Sequence, residues 1–329
     1  MFAGPGTGRP PQAITIPAWN SCYRPDWQAV TVHTTRKRVW RFVRNAQASA
    51  PGLRETLERS WYAAMVQGVP LGLFIFLVQI AAGGAIVQAF LDWLEPDVSP
   101  GYLQLNGLFF ILFGGAGAWL RAILPAARMR SVAPDGPWID LEVPVWIAFT
   151  VLMACLVLAL YLRQRPVATR IGAVGGVVGL IALAVTSLAY APATVAPPYT
   201  VVSIVGGALA LGTSWNGMML GHWYLNTPRL APRPLVRLNQ AMAAVVVGQG
   251  AYASLLATVI APAVVESWFF WVRVGVGLVF PLALSVPVHL TARVRSMMSA
   301  TGLLYIALGA ILAGELVGRL FLFFGQVPI

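Results

Sequence analysis

Eight hydrophobic blocks fill this chain from about Val66 to its end, and only a few charges fall inside them. A helix needs about 20 apolar residues to cross a bilayer. In lipid the backbone must satisfy its own N–H and C=O groups, and a helix does that within one segment. The expected fold class is therefore all-α: a polytopic integral membrane protein, an eight-helix transmembrane bundle. Spans are expected near 66–94, 103–125, 143–163, 171–191, 199–224, 236–261, 267–290 and 299–324. Charged or Pro-rich separators divide them, such as Glu95-Pro-Asp-Val-Ser-Pro-Gly101 and the basic turn Arg163-Gln-Arg-Pro166. Gly172, Gly175, Gly176 and Gly179 form one small-residue face suited to close helix packing, and Gly206-Gly207 another.

Charge is scarce. Only 10% of residues are charged and 58% are hydrophobic, against roughly 25% charged in soluble domains. This excludes a soluble enzyme, and no nucleophile–base set or phosphate loop is visible. The net charge is +11, but in a membrane chain basic residues sit in loops, set orientation and touch anionic head groups. The expected partner is the lipid bilayer, not nucleic acid, and the expected location is the cytoplasmic (inner) membrane. There are two cysteines, Cys22 and Cys155, and no Cys-x-x-Cys, so no iron–sulfur or zinc site of the usual spacing is expected. Cys155, mid-helix, is expected to be a small packing residue. Residues 1–52 are polar, Pro/Gly-rich and basic, and read as a flexible extension with a short helix around Val39–Ala48; 53–329 form the transmembrane domain.

Eight spans put both ends of that domain on one side, here A, opposite side B. Side B loops hold eight arginines, among them Arg163, Arg229 and Arg293, and side A holds five, including Arg121, Arg128 and Arg130. The positive-inside rule favours B as cytoplasmic on that count. The seven basic residues of the extension reverse it.

An ionisable group in hydrocarbon costs several kcal/mol unless paired or wet, so each one inside a span is a candidate site. Glu315 and Arg319 lie i, i+4 on the last span and can pair. His222 and His289 end the fifth and seventh spans near side B, where they could together ligate a haem b; His222 could instead donate to a quinone. Asp140 and Glu142 stand just before the third span near Arg121, and a carboxylate there could accept protons from a hydroquinone. Gln79, Gln88, Asn216 and Gln249 are expected to bond between helices, along with Thr213 and Ser214. Arg273, behind Trp268-Phe-Phe-Trp271, reads as an interfacial anchor.

Two stretches resemble a known family. The run from Val69 to Val87, with Pro70 ahead of Gly83-Gly84, resembles the first helix of the dimethyl sulfoxide reductase membrane-anchor subunit. Ile311-Leu-Ala-Gly-Glu-Leu-Val-Gly-Arg319, followed by aromatic and apolar residues, resembles that subunit's last helix, and the span number agrees. The resemblance implies a subunit that holds a molybdenum-containing catalytic subunit and its iron–sulfur subunit to the membrane. It also implies menaquinol oxidation. The family's quinol site uses a His at the end of the second helix and an acidic residue near the third. Glu142 falls near the acidic position, and Arg121 stands near the place of the His. The leading expectation is a respiratory anchor subunit that exchanges electrons with quinone, with Arg121, Glu142, Glu315, Arg319 and His222 as quinone-binding candidates and no catalytic residue assigned. A transporter or channel, and a self-contained b-haem protein using His222 and His289, are the alternatives.

Overall fold

A computed structural model describes residues 51–124, 137–193, 195–227 and 230–329, with side chains from residue 68 onward. The chain divides into two compact units, Met1–Arg59 and Ser60–Ile329, and all eight spans lie in the second. The expected extension and its short helix fall outside the described residues, except for 51 and 52. So do Arg128, Arg130 and Arg229.

The described residues form helices and no strand. They are α1 (Pro51–Leu94), α2 (Pro100–Ile123), α3 (Trp138–Tyr161), α4 (Arg165–Ala189), α5 (Pro197–Asn226), α6 (Arg233–Ile260), α7 (Trp268–Arg293) and α8 (Met297–Phe324). Each is long and apolar enough to cross a membrane, α1 from Gly68. The protein is thus an all-α, multi-pass membrane protein. Prolines open α2, α5 and the first turns of α4 and α6, where a missing N–H costs nothing. Large apolar side chains such as Leu112, Val177, Val247 and Ile306 face outward, which only lipid makes favourable. Exposed Trp119, Trp138, Trp268 and Trp271 mark side A, and Trp93 with Tyr161 marks side B, as interfacial aromatics do.

Helix packing follows the small residues. α1 and α5 cross at touching backbones: a Cβ on Gly83 would lie 1.8 Å from the Ala208 carbonyl oxygen, and one on Gly212 would lie 2.2 Å from that of Gly83. The glycine face of α4 takes Met153 and Phe149 of α3 at Gly175 and Gly179, and Ile86 of α1 at Gly176. That face was legible in the sequence. α7 and α8 meet at Gly277 and Gly314, where an added Cβ on Gly314 would stand 2.3 Å from the Gly277 Cα.

Two hairpins on side B, α3–α4 and α7–α8, close with the same cap. Arg163 and Arg295 take left-handed backbone conformations, φ 57° and 58°. Behind them Gln164 N–H donates to Ala159 and Ser296 N–H to Thr291, each at 2.9 Å. Arg163 and Arg295 N–H reach Leu160 and Ala292. This is the Schellman pattern, which usually has glycine at the left-handed position. Ion pairs Arg165–Asp92 and Arg237–Glu95, each at 2.5 Å, tie α4 and α6 to the side B end of α1.

The interhelical role expected of the amides holds. Gln79 donates to Ile204 O at 2.7 Å, Gln88 to Leu103 O at 3.3 Å and Asn216 to Gly84 O at 3.0 Å. Thr213 and Ser214 instead bond back to Leu209 and Ala210 of their own helix, a common outcome for hydroxyls in helices. Cys155 is exposed rather than packed.

Candidate functional site

Two buried charge clusters occupy the side A half of the bundle. The first joins α2, α3 and the end of α4. Arg121 Nε meets Glu142 Oε2 at 2.5 Å, and Tyr190 donates to the same oxygen at 2.8 Å. Asp140 and Glu142 lie inside α3 rather than before it, and they part: Asp140 is exposed in the first turn, while Glu142 is fully buried. Burial, and then the neighbouring Glu142 carboxylate, push the Tyr190 phenol well above its usual range, so it stays protonated as a donor. The Tyr190 ring packs edge-on against Phe323 of α8. None of the described cavities is lined by Arg121, Glu142 or Tyr190.

The second cluster joins α5, α6, α7 and α8. Glu315 and Arg319 are both fully buried, and their contact is 3.4 Å. The tighter partner of Glu315 is Arg273 of α7, whose Nη2 lies 2.5 Å from Oε1. Gln249 of α6 completes the group: its Nε2 donates to Glu315 Oε1 at 3.1 Å, and its Oε1 accepts from Arg273 Nη2 at 2.9 Å. Arg319 Nη2 also donates to Ser203 Oγ and to the Ile329 carbonyl oxygen, each at 3.0 Å. The segment after α8 folds back beneath the cluster, where Tyr252 donates to Pro328 O at 2.8 Å. Glu315 stands nine residues before the end of α8, about 14 Å along the helix from its side A end at 1.5 Å per residue.

Glycine makes room for this cluster. A Cβ on Gly207 would lie 2.2 Å from Glu315 Oε2 and 2.7 Å from Gln79 Nε2. The aliphatic part of Arg273 lies beside Gly318, with an added Cβ there 3.4 Å from its Cδ. The Gly206-Gly207 pair, expected to admit a helix, thus admits polar side chains as well.

Arg273 is therefore a buried ion-pair partner, 3% exposed, rather than an interfacial anchor. Its neighbours Trp268 and Trp271 do face outward. The legible signal was periodic: Phe270, Arg273 and Gly277 fall on one helical face, and all three are buried. Tyr190, Ser203 and Tyr252 carried no charge to draw notice in the sequence.

A cavity of about 290 Å³ lies against the second cluster, between α5, α6 and α7. Its polar wall is Ser203, Gln249, Tyr252 and Arg273, and the rest is apolar. Arg273 Nε and Nη1 and Arg319 Nε and Nη1 are buried without an acceptor among the described residues. Of these, Arg273 Nη1 packs against Gly277 and Gly314 and Nε against Gly318, on the side of α8. Glu315 sits one layer behind the wall, reached through Gln249 and Arg273.

The five quinone candidates do not converge. Arg121 joins Glu142, and Glu315 joins Arg319. His222 is exposed on α5 toward side B, and His289 is half-buried on α7. Neither histidine lines a described cavity.

No known family model matches the chain, and no curated protein does.

Proposed function

We propose that this protein is the membrane subunit of a respiratory oxidoreductase in the cytoplasmic membrane, and that it binds quinone or quinol, such as menaquinone, in the cavity at Arg273 and Gln249. One observation carries the reading: a mostly apolar cavity ends on a polar wall of Ser203, Gln249, Tyr252 and Arg273, backed by the buried carboxylate of Glu315. A quinone ring offers two carbonyl acceptors on a flat apolar body, which matches such a wall. The family resemblance of α1 and α8 supports the same reading.

In quinol oxidation two protons and two electrons must leave the ring. Gln249 and Arg273 would hold the ring oxygens. Glu315, ion-paired and hydrogen-bonded to both, is the base placed to receive a proton. The electrons require a redox partner, and an iron–sulfur subunit attached to a molybdenum-containing catalytic subunit is the partner proposed. The Arg121–Glu142–Tyr190 cluster joins α2, α3 and the end of α4 and is proposed as a structural lock between them.

Affinity purification from native membranes in mild detergent, with mass spectrometry, tests the assembly. A stoichiometric iron–sulfur subunit supports it; a protein that emerges alone refutes it. Replacing Glu315 by Gln should slow quinol turnover at least tenfold in the intact complex, the span in which proton-transfer groups act.

A transporter is the second reading, favoured by one observation. A π-helical turn ends α6 at Leu256–Ile260 and another interrupts α7 at Gly275–Val279, just past Arg273, and such turns are frequent at functional sites. Substrate-dependent flux in proteoliposomes would support that reading, and tight vesicles under every imposed gradient would remove it.

A further inference from the structure

The cavity at Arg273 has a neighbour across its apolar wall. A second cavity of about 250 Å³ lies between α1, α5 and α6, with almost no polar surface. The two share Leu209 of α5 and Val245 of α6 as lining residues. On α6 they are lined in sequence by Arg237, Ala241 and Val245, then by Val245, Gln249 and Tyr252. That spacing traces a single helical stripe. Fifteen residues separate Arg237 from Tyr252, so the two cavities, end to end with Leu209 and Val245 between them, make a groove along about 22 Å of the helix.

The groove is chemically lopsided. Its side A end carries Ser203, Gln249, Tyr252 and Arg273. Along α1 its walls are Ile86, Val87, Phe90, Leu91 and Leu94. At the side B end Arg237 is already engaged by Glu95. A head group that accepts hydrogen bonds therefore suits one end only, and a single apolar chain suits the rest. Phe90, 59% exposed, borders the groove on its open flank.

We infer that this groove takes the tail of the quinone. The inference rests on the quinone reading above. It adds that the prenyl chain runs from the Gln249–Arg273 wall past Leu209 and Val245 toward side B, along α6. Affinity then depends on tail length, and residues far from the ring control it.

Two probes separate ring from tail: a menaquinone with a long prenyl chain, and 2-methyl-1,4-naphthoquinone, which has the ring without the chain. Their binding to purified protein in phosphatidylcholine nanodiscs is read by quenching of tryptophan fluorescence. Ala241→Trp fills the groove well away from the ring site. It should weaken the long-chain quinone roughly tenfold or more, the worth of a few displaced methylenes, and leave the tail-less ring at its wild-type affinity. Ala241→Phe, a smaller addition, should give the same pattern with a smaller loss if the tryptophan variant is not recovered. Equal affinities of wild type and variants for both probes would overturn the groove assignment, as would equal weakening of both. If neither probe binds the wild-type protein, the quinone reading itself fails.

Discussion

At the residue scale, the organising unit is a carboxylate held by two guanidinium groups inside a helical membrane bundle. Removing one member of a buried ion pair strands the other, at a cost of about 3–5 kcal/mol. Arg273→Met and Glu315→Gln should therefore each lower the thermal midpoint in mild detergent. Because the pair is in direct contact, the double variant should lose less than the sum of the singles, with a coupling of about 1–3 kcal/mol. Additive losses would mean that the two side chains do not interact. Gly207 tests the same unit from the other side. Gly207→Ala places a methyl group where Glu315 Oε2 now sits. It should cost about 1–3 kcal/mol as an overpacking change, read as a lower thermal midpoint in mild detergent.

At the element scale, glycines decide which helices touch. Gly83→Ala drives a Cβ into the backbone of α5, which cannot swing aside as a side chain can. Gly302 and Gly309 of α8 have nothing within 4 Å of an added Cβ. Alanine at those two positions should hold or raise stability, by up to about 1 kcal/mol each from helix propensity. Gly83→Ala should lower it sharply. Thermal midpoints of the three variants in one detergent make the comparison, and equal midpoints would argue against the α1–α5 crossing. The hairpin caps give an opposite prediction. Left-handed backbone costs a non-glycine residue about 1–2 kcal/mol. Arg163→Gly and Arg295→Gly should relieve it, offset partly by loss of a positive charge near a helix C-terminus. The expected net effect is a small stabilisation.

At the scale of the whole molecule, eight spans place the α1–α2, α3–α4, α5–α6 and α7–α8 connections on side B. In a background with both native cysteines replaced by serine, Asp97→Cys and Ser299→Cys should react with a membrane-impermeant maleimide from one side of oriented vesicles. Ala193→Cys, in the α4–α5 connection, and Gln326→Cys should react only from the other. Any mixed pattern breaks the eight-span topology. The measurement also assigns side A to one face of the membrane. Side A is the face nearer both buried clusters, so the result locates them relative to the cytoplasm.

The number of spans, and their limits to within several residues, were legible in the sequence, because apolar length and Pro-rich separators are local properties that hydrocarbon reads directly. The glycine face of α4 was legible for the same reason, as a repeat along one helix. Pairing across helices was not. The i, i+4 spacing marks Arg319 as a partner of Glu315, yet the closer partner is Arg273, 42 residues away. That choice comes from the approach of α7 and α8 at Gly277 and Gly314, which brings an arginine from near the membrane edge over the carboxylate. Likewise the sequence placed Arg121 near Glu142, but only packing brought in Tyr190 and closed that cluster. The cavity at Gln249 exists because α5, α6 and α7 leave space between them. Local sequence fixes which residues each helix carries, and only the tertiary contacts decide which of them share a site.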